Sequence, residues 1–157
     1  MHDFHHAPLR DVDAPTLYRL LWLRVSVFVV EQAAAYPELD GRDLEPTTEL
    51  FWVTAPDDEV LATLRLLDDG DAMRIGRVAT SPSARGAGVA AELMRRAIAL
   101  STRRQPNHAI RLDAQTHVAP WYARFGFAVA GPAFEEDGIP HVPMTREPLA
   151  VTGPADA

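Results

Sequence analysis

Arg77-Val78-Ala79-Thr80-Ser81-Pro82-Ser83-Ala84-Arg85-Gly86-Ala87-Gly88-Val89-Ala90 is the stretch on which the reading of this chain turns. Arg74 to Thr80 reads as a strand, Ser81-Pro82 ends it, and a helix is expected from about Arg85 to Ser101. Glycines at the start of a helix leave main-chain N–H groups unpaired and unshielded, and with the positive helix end these form a site for an anion. A plain structural turn would use the same glycines. Two phosphate motifs can be tested against the spacing. No Lys-Ser/Thr follows, so the P-loop fails. Gly86-x-Gly88-x-x-Ala91 with a later Asp113 approaches the dinucleotide fingerprint. That motif makes a tight turn straight from its strand, whereas here Pro82 and its neighbours intervene.

Working outward, Asp13 is an N-cap for a helix with Leu17, Leu20, Leu21 and Phe28 on or near one face. Val25 to Val30 is β-branched, so helix and strand remain open there. Leu50–Ala55 and Val60–Leu67 read as strands separated by the turn Pro56-Asp57-Asp58. Beyond the glycine turn, Val89, Leu93, Ala97 and Leu100 make an apolar helical stripe. Ala109–Ala114 reads as a strand, Pro120–Phe125 as a short helix stopped by Gly126, and Phe127–Ala130 and His141–Glu147 as further strands. The expectation is one α/β domain over residues 1–147, built round a single sheet, with a disordered tail at 148–157.

Composition narrows the chemistry. At 157 residues there is room for one domain, and with no cysteine there is no disulfide, thiolate metal site or Cys nucleophile. The net charge of -7 disfavours nucleic acid as a partner. All fifteen basic residues are Arg, which excludes lysine Schiff-base chemistry. No apolar run approaches the roughly 20 residues of a membrane span, so a soluble cytoplasmic protein is expected. His2, His5 and His6 read as a solvated, frayed terminus, with weak metal binding the alternative. His117 and His141 lack the spacing or a third ligand for zinc, so no metal is expected. Charge is segregated: six acids against Arg42 between Glu31 and Glu49, and eight Arg against Glu92 between Arg74 and Arg111. The first segment suits a cationic ligand and the second an anionic one, and each also reads as a solvated face.

Arg85-x-x-Gly88-x-Ala90, the preceding Arg77-Val78-Ala79-Thr80, and Tyr122-Ala123-Arg124-Phe125-Gly126-Phe127 resemble, in that order, the motifs of the GNAT superfamily of N-acetyltransferases. Leu23-Arg24-x-x-Val27-Phe28-Val29-Val30-Glu31-Gln32, Tyr36-x-Glu38-x-Asp40-Gly41, Leu112-x-Ala114-Gln115 and Glu136-Asp137-Gly138-Ile139-Pro140-His141 are similar to its ElaA-like branch. Where that branch often carries Cys after Glu-Gln, this chain has Ala33-Ala34-Ala35.

The resemblance implies a mixed, mostly antiparallel sheet of about six to seven strands flanked by helices. It implies acetyl-CoA as co-substrate, held by Val78, Ala79, Thr80, Arg85, Gly86, Ala87, Gly88, Val89, Ala90 and Gln115. The acceptor would be a primary amine of a small molecule or peptide, attacking directly in a ternary complex. A homodimer is compatible with the superfamily. Tyr122 would be the general acid for the leaving thiolate, and a backbone N–H of Val78 or Ala79 would stabilise the oxyanion. Glu136 and His141 are candidates for the base or for amine binding, and Glu31, Asp40 and His117 for the acceptor site. A non-catalytic acyl-CoA-binding or regulatory module on the same fold is the alternative.

Overall fold

The computed structural model describes residues 1–149; most of the expected disordered tail lies outside the described residues. The strands are β1 Asp3–Ala7, β2 Glu49–Thr54, β3 Val60–Asp68, β4 Met73–Thr80, β5 Ile110–Gln115, β6 Ala128–Val129, β7 Phe134–Glu136 and β8 Ile139–Arg146. The helices are α1 Ala14–Val25, α2 Val89–Arg104 and α3 Ala119–Ala123. Sheet order is β1-β2-β3-β4-β5-β8-β6, with β7 also on β8, making eight strands where six to seven were expected. Every strand pair is antiparallel except β4 with β5.

The sheet is covered on both faces, which explains the nearly unbroken apolar runs of β2 and β3. Side chains alternate across a strand, so Phe51 and Val53 enter the core under α2 while Leu50 and Trp52 enter the core under α1. From α2 come Val89, Leu93, Met94, Ala97 and Leu100, the expected stripe with Met94 added. From α1 come Leu20 and Leu23, with Val27 one turn on. Asp13 caps α1, accepting from the Thr16 N–H at 3.1 Å and its hydroxyl at 2.8 Å. Such a cap contributes about 1 kcal/mol.

Three expectations need correction. The N-terminus is not frayed: residues 3–7 pair with β2, His5 stacks on Trp52, and His6 stacks on Phe51 and bonds Glu49 at 2.7 Å. Imidazole serves here as a flat strand side chain, which its polarity hides. The segment Ser26–Glu31 is neither α-helix nor strand but a π-helical turn, with Gln32 N–H donating to Val27 O at 3.2 Å. Wide turns of this kind are frequent at functional sites. Finally, α2 begins at Val89, four residues later than expected, because Arg85–Ala87 form the turn that leads into it.

Candidate active site

Among the described residues β4 and β5 form the one parallel pair, and their ladder is short. Met73 pairs with Ile110 and Arg74 with Arg111; the register goes no further. Beyond that point the strands part, and a cavity of about 1000 Å³ occupies the gap. Its walls are the C-terminal half of β4, the glycine turn, the first turn of α2, the π-helical turn, α3 and the β7–β8 hairpin. One site thus collects segments from most of the chain's length.

At the phosphate-like end, Gly86 and Gly88 have φ of +83° and +79°, and a Cβ placed on either would meet nothing within 4 Å. These two glycines are therefore required by backbone conformation and leave an open approach. Gly88 is the N-cap of α2 and no side chain caps it, so the first-turn N–H groups are free to bind an anion. This cradle fits a pyrophosphate. Arg85 stands beside it, with Nη2 bonded to Glu31 and Nε donating to Thr80 O at 3.3 Å. Arg124 of the α3 end also lines the cavity and has no ion pair among the described residues.

The bend in β4 has a clear origin. Thr63 faces Ala79 and Arg65 faces Gly76, so Leu64 alone opposes both Arg77 and Val78. This is a β-bulge. Arg77 adopts φ +52°, the left-handed region, although it carries a side chain. That conformation costs about 1–2 kcal/mol and persists only where its surroundings enforce it. Its guanidinium is held on several sides: Nε lies 2.9 Å from Glu38 Oε1, Nη2 donates to Glu38 O at 3.0 Å, and the Tyr36 ring centre is 5.4 Å away. Nη2 also lies 3.4 Å from Asp40.

Glu38 and Asp40 belong to a closed ring of charges. Arg24 binds Glu38 at 2.8 Å and Asp43 at 2.7 Å, Arg65 binds Asp43 at 3.4 Å and Asp40 at 2.7 Å, and Arg77 joins Asp40 to Glu38. Arg24 and Glu38 are almost wholly buried. The Arg65 fork holds the Asp40 carboxyl far below the ordinary carboxylate range. Burial opposes the charged form of Asp43, but Arg24 and Arg65 outweigh it, and that group too is lowered.

The ring changes the charge reading. All six acids from Glu31 to Glu49 have arginine partners: Glu31 has Arg85, Glu45 has Arg42, Glu49 has Arg104, and the other three sit in the ring. The acidic segment therefore does not present the uncompensated field that its composition implies. Asp40 and Ala87 are off the cavity wall; every other residue singled out from the sequence for cofactor, acceptor or catalysis lies on it.

At the opposite end, α3 is anchored by Trp121 and Phe125, whose rings meet at 5.0 Å against the main core. Tyr122 contacts Trp121 edge-on at 4.9 Å and opens onto the cavity. Surrounding protein desolvates its phenol and pushes its pKa well above the ordinary tyrosine value, so it keeps its proton at neutral pH. His141 Nδ1 lies 2.8 Å from Ile139 O. A carbonyl only accepts, so Nδ1 carries the proton and neutral His141 keeps its lone pair on Nε2. The ring is stacked on Phe134 at 5.8 Å, which fixes its plane. Gln115 donates to Gln32 at 3.1 Å across the gap, and Glu136 and His117 line the same mouth. No group of three or more His, Cys, Asp or Glu side chains among the described residues could hold a metal ion.

Comparison with known proteins agrees with this geometry. The family described as "Acetyltransferase (GNAT) domain" matches residues 24–148, from the ring arginine through β8.

The chain belongs to the GNAT acetyltransferase family.

Within this family it is similar to ElaA of Escherichia coli, at 40% identity over 150 residues, covering 92% of this chain and 94% of ElaA. The crystal structure of E. coli ElaA superimposes with a TM-score of 0.88 at 35% identity, covering 94% of this chain and all of that one. A UPF0039 protein of Mycobacterium tuberculosis is 49% identical over 141 residues, covering 87% of this chain and 88% of the relative. The crystal structure of an acyl-CoA N-acyltransferase from Pseudomonas aeruginosa matches with a TM-score of 0.87 at 39% identity, covering 93% and 99% of the two chains. The mostly antiparallel sheet flanked by helices is the GNAT fold, in its ElaA-like form.

Some residues of this GNAT site escaped the sequence reading. Gln32, Tyr36, Arg77 and Asp137 were quoted within motifs without being given a role. Only the pairing of distant segments brings them to the cavity wall. Arg124 was legible in principle, as a cation inside the Tyr-x-x-x-Gly-Phe segment. No described helix is long and apolar enough to cross a membrane.

Proposed function

We propose that this protein is an N-acetyltransferase that moves acetyl from acetyl-CoA to a primary amine of a small molecule or peptide, by direct attack in a ternary complex. The observation that carries the reading is that Tyr122 and His141 line the same cavity as the glycine turn. Binding of CoA alone needs neither a protonated, desolvated phenol nor an imidazole with a free nitrogen.

The residues divide the work. Main-chain N–H groups of Gly86 and of Gly88 to Ala90, with Arg85, hold the pyrophosphate, and the backbone of Val78–Thr80 lines the pantetheine arm with Gln115 nearby. Acetyl-CoA supplies an activated thioester carbonyl. The Val78 N–H donates to the oxygen of that carbonyl as negative charge collects there. His141 Nε2 takes the proton of the incoming ammonium, and Tyr122 gives its own to the departing sulfur. Glu136 and His117, which line the same end of the cavity, form the acceptor site, while Glu31 of the acidic segment is taken up by Arg85. Glu136 and Asp137 have no arginine partner among the described residues, so they attract a cationic amine where the neutralised acidic segment does not.

The test is release of CoA thiol from acetyl-CoA across a panel of small amines and peptides. Release that depends on the amine supports the transferase. CoA binding with no release for any amine would instead make the chain a non-catalytic CoA-binding module.

A further inference from the structure

We propose that Glu38 is a positioning residue for acyl transfer, acting through Arg77 to hold the bulge in β4 that aims the Val78 N–H into the cavity. The inference rests on the reading of the cavity as an acyl-transfer site.

The strand geometry sets the problem. Ser81 N–H donates to Leu61 O on β3 at 2.7 Å. Counting back along the strand, Ala79 also turns its N–H toward β3, and Val78 turns its N–H the other way, toward the gap beside β5. Arg65 shares the parity of Leu61 and Thr63 on β3, so Gly76 opposite it also turns its N–H toward β3; without the inserted residue, counting up from Gly76 would turn the Val78 N–H toward β3 as well. The inserted residue is Arg77 at φ +52°, a conformation that suits glycine and that an L side chain resists. Something must therefore hold Arg77.

Glu38 is placed to do so. It meets the guanidinium with both its carboxylate, 2.9 Å from Nε, and its main-chain carbonyl, 3.0 Å from Nη2. It is itself fixed from behind by buried Arg24, whose Nε donates to Glu38 Oε1 at 2.8 Å. Glu38 does not line the cavity, so it cannot touch substrate. Arg24 comes from the last turn of α1 and Glu38 from the loop beyond it, so this ion pair ties the first helix to the bend of β4 beside the apolar contacts of Leu20 and Leu23 with Ala79.

A double-substitution cycle tests this. Glycine accepts the left-handed conformation without a clamp, so Glu38→Gln should matter only while residue 77 is arginine. Glu38→Gln is expected to lower kcat about 10- to 100-fold with the KM for acetyl-CoA changed less than about threefold. In the Arg77→Gly background the same substitution is expected to change kcat by less than about twofold. Backbone ¹³C shifts at residues 76–79 of the substrate-free protein should move toward extended values in Glu38→Gln and stay left-handed in the double variant. An equal loss of kcat in both backgrounds, or unmoved shifts, would overturn the proposal. Should Glu38→Gln fail to fold, Arg77→Ala against Arg77→Gly decides. Both lose the guanidinium, and the proposal requires the Gly variant to exceed the Ala variant at least about tenfold in kcat; equal values overturn it. If the wild-type protein releases no thiol with any amine, the transferase reading falls, while the shift comparison still decides the clamp.

Discussion

Glu31 and Arg85, 54 residues apart, meet in a two-pronged ion pair, with Arg85 Nη2 2.8 Å and 2.7 Å from the two carboxylate oxygens. The pair joins the π-helical turn to the glycine turn across the cavity rim. It also occupies the guanidinium that would otherwise face a phosphate. Both side chains are nearly half exposed, so the pair is worth under about 1 kcal/mol. Glu31→Gln is therefore expected to tighten CoA binding about two- to fivefold, measured by calorimetry, with a steeper dependence on salt. Weaker binding would mean that Glu31 orders Arg85 for the phosphate rather than competing with it.

Gly88→Ala probes the cradle without crowding it. The added methyl meets no atom, so the whole effect comes from φ +79°. A loss of about 1–2 kcal/mol in stability is expected, read as a lower Tm, together with weaker CoA binding. Gly88→Asn should lie between the two proteins, since Asn tolerates this region better than Ala.

Tyr122→Phe keeps the ring that packs against Trp121 and Phe127 and removes only the hydroxyl. It is expected to lower kcat about 100-fold with CoA affinity unchanged, in steady-state thiol release and calorimetry. Unchanged turnover would remove the general-acid assignment.

His141→Gln keeps a polar group near Ile139 O and removes the basic nitrogen. The loss in kcat/KM is expected at about 100-fold in steady-state thiol release. An unchanged kcat/KM would return the base to a water chain.

Stability should depend on acid in a defined direction. Asp40, Asp43 and Asp69 are all held below the ordinary carboxylate range by arginines. A carboxyl lowered in the folded state stabilises fully above its unfolded value of about 4, and that stabilisation drains as pH falls through the folded one. Thermal melts should thus be flat from pH 7 to about 5 and fall below about 4. Asp43→Asn is expected to cost about 3 kcal/mol at pH 7, since it leaves buried Arg24 and Arg65 short of a partner. The gap to wild type should narrow toward pH 3.

What could be read from the sequence was local. The glycine turn, the capped first helix and the Tyr122 segment each declare themselves within a few residues, through spacing that follows from backbone geometry. The charge ring does not, because Arg24 reaches Glu38 and Asp43 at separations of 14 and 19, and Arg77 reaches Glu38 at 39. Counting charges along the chain gave opposite signs to two segments that in fact neutralise one another, as Glu31 with Arg85 and Glu49 with Arg104 show. The N-terminal strand was hidden for another reason: His5 and His6 lack the apolar alternation by which strands are recognised, and their rings stack on Trp52 and Phe51 instead.

The ring of Arg24, Glu38, Arg77, Asp40, Arg65 and Asp43 has a consequence for descent. Each member contacts two others, so replacing one leaves two partners short, and a lysine could not fork between two carboxylates. Drift at these positions is expected to proceed in linked steps. Lineages that abandon the ring should lose several of the six together and carry glycine at position 77, where the backbone would then need no holding.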